Sequence, residues 1–114
     1  MRQSLTAVVE RNAAWEGDFA TEPWEAAWAS EAIFYVRRLE ASGAAPLSPS
    51  LLTASVQISP DGMHWCDEGH RLRLDGDAEL AFVRVRHFGG WLRLCGRTAS
   101  GVQLKVVAYL TLKE

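Results

Sequence analysis

The chain has 114 residues, 48% of them hydrophobic, a net charge of −2 and a pI near 5.9. That length fits one domain, with a small core that a partner subunit would help complete. The near-neutral balance gives no global reason to bind nucleic acid or an anionic membrane.

The elements follow in chain order. Residues 5–10 read as a first strand, and 15–21 as another before Pro23. Residues 28–40 open with the Ala and Glu content of a helix, but Ile33, Phe34, Tyr35 and Val36 are β-branched or aromatic, so the second half is expected to be a strand. Residues 41–50 read as a loop of sheet-to-sheet crossover length. Residues 52–58 alternate as a strand into a turn, with Pro60 at its second position and Gly62 in the left-handed position of a bulge, and 64–66 return as the partner strand. Residues 82–86, 91–97 and 102–113 then alternate apolar and polar positions, joined by turns at 87–90 and 98–101 whose glycines are expected to supply the positive φ, and read as three consecutive antiparallel strands. About eight short strands with regular turn signals predict an all-β antiparallel sandwich of jelly-roll type, a single domain over 1–114.

Charge is divided along the chain. Residues 1–70 carry four arginines against ten carboxylates, while 71–114 carry six arginines and two lysines against four. Such halves can pair within the molecule or with the next copy of it. Trp15, Trp24 and Trp28 sit among Glu16, Asp18, Glu22 and Glu25, so residues 1–28 are expected to serve as an interface arm. Arg84, Arg86, Arg93, Arg97 and Lys105, with Trp91 and Tyr109, would be its counterpart. The same residues resemble a single-stranded nucleic-acid platform, but the available acids favour pairing with the protein itself.

Catalytic signatures are missing: there is no nucleophile elbow, phosphate-binding loop, HExxH or glycine-rich nucleotide fingerprint, so no enzyme and no cofactor are expected. His64, Cys66 and His70 lie close together, but their spacing matches no standard zinc motif, and no metal is expected. Cys66 and Cys95 are expected to be reduced thiols. The apolar stretch at the N-terminus is too short for a signal-peptide core, and no run approaches the ~18 to 20 apolar residues that span a bilayer. A cytoplasmic or particle-associated location is expected, with no membrane partner. The segment 59–65 resembles the Asp-box of sialidase-like propellers in residue order but not in spacing, and it occurs once. The expectation there is a β-turn with Trp65 packed beneath it.

From residue 52 onward, the strand into Val56-Gln-Ile-Ser-Pro-Asp-Gly-Met-His-Trp65, then Phe82-Val-Arg-Val-Arg86, Trp91-Leu-Arg-Leu94, a glycine turn and a last alternating strand resemble small β-sandwich proteins of tailed-phage and prophage virions. The resemblance covers about half the chain. It implies a non-enzymatic, symmetric assembly subunit such as a head-decoration or fibre-associated protein.

The expected function is therefore a structural subunit that forms a homo-oligomer or joins a larger protein particle, with Trp15, Trp24, Glu25, Arg84, Arg86, Trp91, Arg93 and Tyr109 at the interface. The alternative is a carbohydrate-binding module. It requires an aromatic row with amide and carboxylate neighbours, in a chain whose one asparagine is Asn12.

Overall fold

Alternation of apolar and polar residues along each strand is the local rule from which this fold grows. The computed structural model describes residues 3–43, 50–76 and 78–114. Among these residues it has nine strands: β1 (Ser4–Glu16), β2 (Asp18–Ala20), β3 (Trp24–Glu25), β4 (Glu31–Gly43), β5 (Ser50–Ser59), β6 (Cys66–Asp75), β7 (Leu80–Arg86), β8 (Trp91–Thr98) and β9 (Val102–Lys113). Sheet one has the order β1-β9-β4-β7, and sheet two the order β2-β8-β5-β6, with β3 also paired to β8. All pairings are antiparallel. If β2 and β3 count as one interrupted strand, this is a jelly roll of two four-stranded sheets.

The core lies between the sheets. β9 contributes Val102, Leu104, Val106, Ala108, Leu110 and Leu112, each at most 2% exposed, against Leu92 and Leu94 of β8, Leu52 and Val56 of β5, and Leu72 and Leu74 of β6. Burying each of the larger side chains is worth roughly 1.5–3 kcal/mol. Gly96 has its own packing role, because a Cβ there would stand 2.2 Å from the Thr53 carbonyl oxygen and 2.6 Å from the Ala54 Cα.

Several expectations are corrected. Residues 82–86, 91–97 and 102–113 are strands, but they do not pair in succession: β7 joins β4, β8 joins β5, and β9 joins β4 and β1. Their connections cross between sheets. The left-handed residue in 87–90 is His87 at φ 55°, not a glycine. The strand expected in the second half of 28–40 is present as β4, which a turn enters at Glu31 with no helix before it. Ala41, Ser42 and Gly43 extend β4 opposite Leu104, Gln103 and Val102, and residues 44–49 of the expected loop lie outside the described residues. The return strand after the 59–65 turn starts at Cys66 and runs to Asp75, where Leu72 and Leu74 alternate with Arg71 and Arg73.

The 59–65 turn is held by its own side chains. Ser59 Oγ accepts the N–H groups of Asp61 (3.2 Å) and Gly62 (2.8 Å) and donates to Asp61 Oδ1 (3.0 Å). The Asp61 carboxylate accepts the N–H groups of Met63 and His64, both at 2.9 Å, and meets His64 Nδ1 at 2.6 Å. Gly62 takes φ 79°, and a Cβ on it would lie 3.2 Å from the Trp91 indole. The tryptophan beneath the turn is thus Trp91 from β8, and not Trp65, whose ring lies 4.3 Å from the Arg93 guanidinium.

Two outcomes follow. Gly96→Ala is expected to destabilise the domain by at least about 1–3 kcal/mol, read from denaturant melts, because the surrounding atoms are backbone and cannot yield like a flexible side chain. The His64 amide, then the Met63 amide and the His64 ring, hold the Asp61 carboxyl well below the usual carboxylate range. A carboxyl depressed in the folded state adds stability that is complete above its unfolded value, about 4, and is lost as pH falls through the folded value. Asp61→Asn should therefore flatten the acid limb of the stability-against-pH curve, and an unaltered limb would mean that Asp61 has no part in it.

Candidate functional site

The period of two that buries one row of each strand presents the other row to solvent, and the two outer faces differ in chemistry. On sheet one, the register of β1, β9, β4 and β7 aligns Val8, Tyr109, Tyr35 and Phe82 in a single row across all four strands. Phe82 is 53% exposed and Val8 38%, and Leu80, two residues before Phe82 on β7, is 51% exposed. The Tyr35 and Phe82 rings are tilted 6.3 Å apart, the Arg84 guanidinium lies 5.3 Å from the Phe82 ring centre, and Arg37 Nη1 donates to the Tyr109 hydroxyl at 3.3 Å. Below the row is a cleft of about 220 Å³ lined by Glu31, Ile33, Arg84, Arg86, Thr111 and Lys113. Above it is one of about 250 Å³ lined by Ala14, Glu40, Ser42, Gln103 and Lys105.

The outer face of sheet two is polar. Thr53, Ser55 and Gln57 of β5 stand opposite Arg97, Cys95 and Arg93 of β8 on one side, and opposite Arg73, Arg71 and Asp67 of β6 on the other. Arg97 pairs with Asp18 at 2.7 Å, a hydrogen bond that raises the guanidinium pKa further. Arg73 meets Asp75 at 3.0 Å. Arg93 Nε donates to Gln57 Oε1 at 2.8 Å, and Gln57 Nε2 donates to Asp67 Oδ1 at 3.0 Å.

The eight residues expected at one interface are distributed over these surfaces and the core. Arg84 and Arg86 on β7 and Tyr109 on β9 share the outer face of sheet one. Arg93 and Trp91 on β8, with Glu25 opposite Trp91, belong to sheet two on the other side of the sandwich. A single arginine face spanning Arg84 and Arg93 therefore does not exist. Trp15 is 6% exposed and stacked on Phe19, with ring centroids 3.8 Å apart, and Trp24 and Trp28 pack against the core. Trp15 is thus a core residue, not an exposed anchor. Residues 4–16, read as part of an arm, pair along β9. The neighbouring acids have partners within the chain: Asp18 with Arg97, Glu31 with Arg86 at 3.7 Å, and Glu16 with Gln103.

Sequence reasoning passed over Val8, Ile33, Tyr35, Leu80 and Phe82. The signal was available in β4, where Ile33, Tyr35 and Arg37 alternate with the buried Phe34 and Val36, but a run of apolar residues hides its own alternation. Cys66 and Cys95 are free thiols. Among the described residues no group of three or more His, Cys, Asp or Glu side chains could hold a metal; His64 faces Asp61 and His70 faces Glu68.

Neither a protein-family model nor a curated protein sequence matches the chain. Among solved structures, it is similar to the SPBc2 prophage-derived protein YomS, with a TM-score of 0.62 and 6% identity over 100% of this chain and 96% of that one. It is also similar to TmCBM61, solved in complex with beta-1,4-galactotriose, with a TM-score of 0.50 and 9% identity over 89% of this chain and 68% of that one. A mutant of CBM29-2, a family 29 carbohydrate-binding module complexed with cellulohexaose, aligns with a TM-score of 0.48 and 8% identity over 96% and 91% of the two chains. The expected likeness to prophage proteins holds at the level of the β-sandwich fold, which this chain shares end to end with one of them.

Proposed function

We propose that this protein is a non-enzymatic assembly subunit that associates with a second copy through the outer face of sheet one. The observation that carries the reading is the solvent-facing row Val8, Tyr109, Tyr35, Phe82, an apolar centre with Arg37, Arg84 and Arg86 around it. Exposed apolar patches with aromatic centres and arginine neighbours are the composition of protein interfaces.

The occupant follows from self-complementarity. Consider two copies face to face about a two-fold axis running along the strands between β4 and β9. Each residue of β4 then meets the β9 residue that is its in-register neighbour in its own chain, and β7 meets β1. Tyr35 is set against Tyr109 of the second copy, Phe82 against Val8, Glu31 against Lys113, and Glu40 against Lys105. No like charges oppose one another among these four pairs. The face offers about 700 Å² of flat sheet by strand length and spacing, close to the ~800 Å² that each partner buries in a standard interface. Membership of a larger protein particle, with a cytoplasmic or particle-associated location, belongs to the same proposal, and the likeness to a prophage-derived protein is one of fold.

A second reading, a carbohydrate-binding module, is favoured by the hydroxyl, amide and guanidinium groups ranked on the outer face of sheet two and by a fold shared with a module that binds a galactotriose.

Light scattering after size exclusion, at micromolar to sub-millimolar protein, should give a concentration-dependent dimer. Phe82→Glu, at an exposed position, should weaken it by about 2 kcal/mol or more without lowering the melting temperature. Glu40→Lys should weaken it through the two lysines then opposed, and Glu40→Lys with Lys105→Glu should restore it. A monomer throughout the range, or a dimer indifferent to Phe82→Glu, would overturn the reading.

A further inference from the structure

The sheet-two face carries a polar cleft of about 260 Å³, lined by Asp18, Thr53, Ser55, Arg71, Cys95 and Arg97. Its arginines are not equivalent. Arg97 is tied to Asp18, Arg73 to Asp75 and Arg93 to Gln57, whereas Arg71, among the described residues, has neither an acidic nor a hydrogen-bonding partner for its guanidinium. Ser55 lies between Cys95 and Arg71, and Thr53 between Arg97 and Arg73, so two hydroxyls form the floor and the unpaired guanidinium stands at one wall.

We propose that this cleft binds the carboxylate-bearing ring of an acidic saccharide, with Arg71 as the fork for the carboxylate and Thr53, Ser55 and Asp18 meeting the ring hydroxyls. The planar guanidinium accepts a carboxylate in bidentate geometry, which a lysine could not reproduce. Serine and threonine hydroxyls both donate and accept, as sugar hydroxyls do, and a carboxylate such as Asp18 accepts from them. Among the described residues no aromatic ring lines the cleft, so a nucleic-acid base would find nothing there to stack on. The cleft has the size of a single ring, so the charged residue is the one recognised and the rest of a chain would run over the sheet.

This inference rests on the carbohydrate-binding reading and is independent of association through sheet one. Cys95 supplies a reporter inside the cleft, and Cys66, exposed at the start of β6, an internal control. The protein is titrated with oligogalacturonate and oligomannuronate, with methyl-esterified oligogalacturonate, with acetate and inorganic sulfate, and with oligo-deoxythymidine. Binding is followed by calorimetry and by the rate of thiol alkylation at each cysteine.

The expected result is saturable binding of at least one uronate oligosaccharide that slows alkylation of Cys95 but not of Cys66. Arg71→Gln should weaken it at least tenfold, and Arg71→Lys should rescue it incompletely. Equal binding of the methyl ester would overturn the acidic specificity and leave carbohydrate binding standing. Equal protection by acetate or sulfate would reduce the cleft to a simple anion site, and preferred binding of the oligonucleotide would replace the saccharide. No binding by any saccharide would overturn both the inference and the reading beneath it.

Discussion

The pairing of β9 between β1 and β4 is the constraint on which the rest of the molecule depends. Strand side chains alternate strictly, so a slip of one residue would turn Leu104, Val106, Leu110 and Leu112 to solvent and drive Lys105, Tyr109 and Lys113 into the core. Six buried apolar side chains on one strand oppose that slip. The register they impose is also what brings Val8, Tyr109, Tyr35 and Phe82 into line. The outer row is a by-product of core packing that is available for recognition.

The division of charge along the sequence acquires a different meaning in space. The acidic first half and the basic second half are interleaved, because β8 and β9 insert between strands of the first half in both sheets. Asp18 with Arg97 and Glu31 with Arg86 join the two halves across neighbouring strands. Exposed pairs of this kind add little to stability. Their effect is to remove charge from the face. Of the sheet-two arginines they leave Arg71 without a partner among the described residues.

The turn after β5 shows the opposite balance, with local chemistry in control. Ser59 and Asp61 satisfy four backbone N–H groups within a few residues of themselves, so the turn is specified by its own sequence. Its anchorage is not local. Trp91 reaches the turn from β8, thirty residues on in the chain, since β8 is the strand that pairs with β5 and places Trp91 opposite Ser59. Trp65, closer in sequence, lies on Arg93 instead. Nearness along the chain is a poor guide to which of two indoles fills a site that strand pairing creates.

What the sequence determined by itself was the all-β class, the inward rows of β7, β8 and β9, the strand at 52–58 and the turn beyond it, because alternation and turn chemistry act over a few residues and need no partner to be read. Which strands pair, and hence which outward residues share a surface, was decided by tertiary structure alone. Arg84 and Arg93 have the same local pattern, yet β7 and β8 fall in different sheets and carry them to opposite sides. Trp15, in an acidic stretch without clear alternation, is buried because pairing with β9 sets it opposite the buried Leu104 and against Phe19. Bulges and crossovers arise from the meeting of two segments distant in the chain, so neither segment carries the information alone.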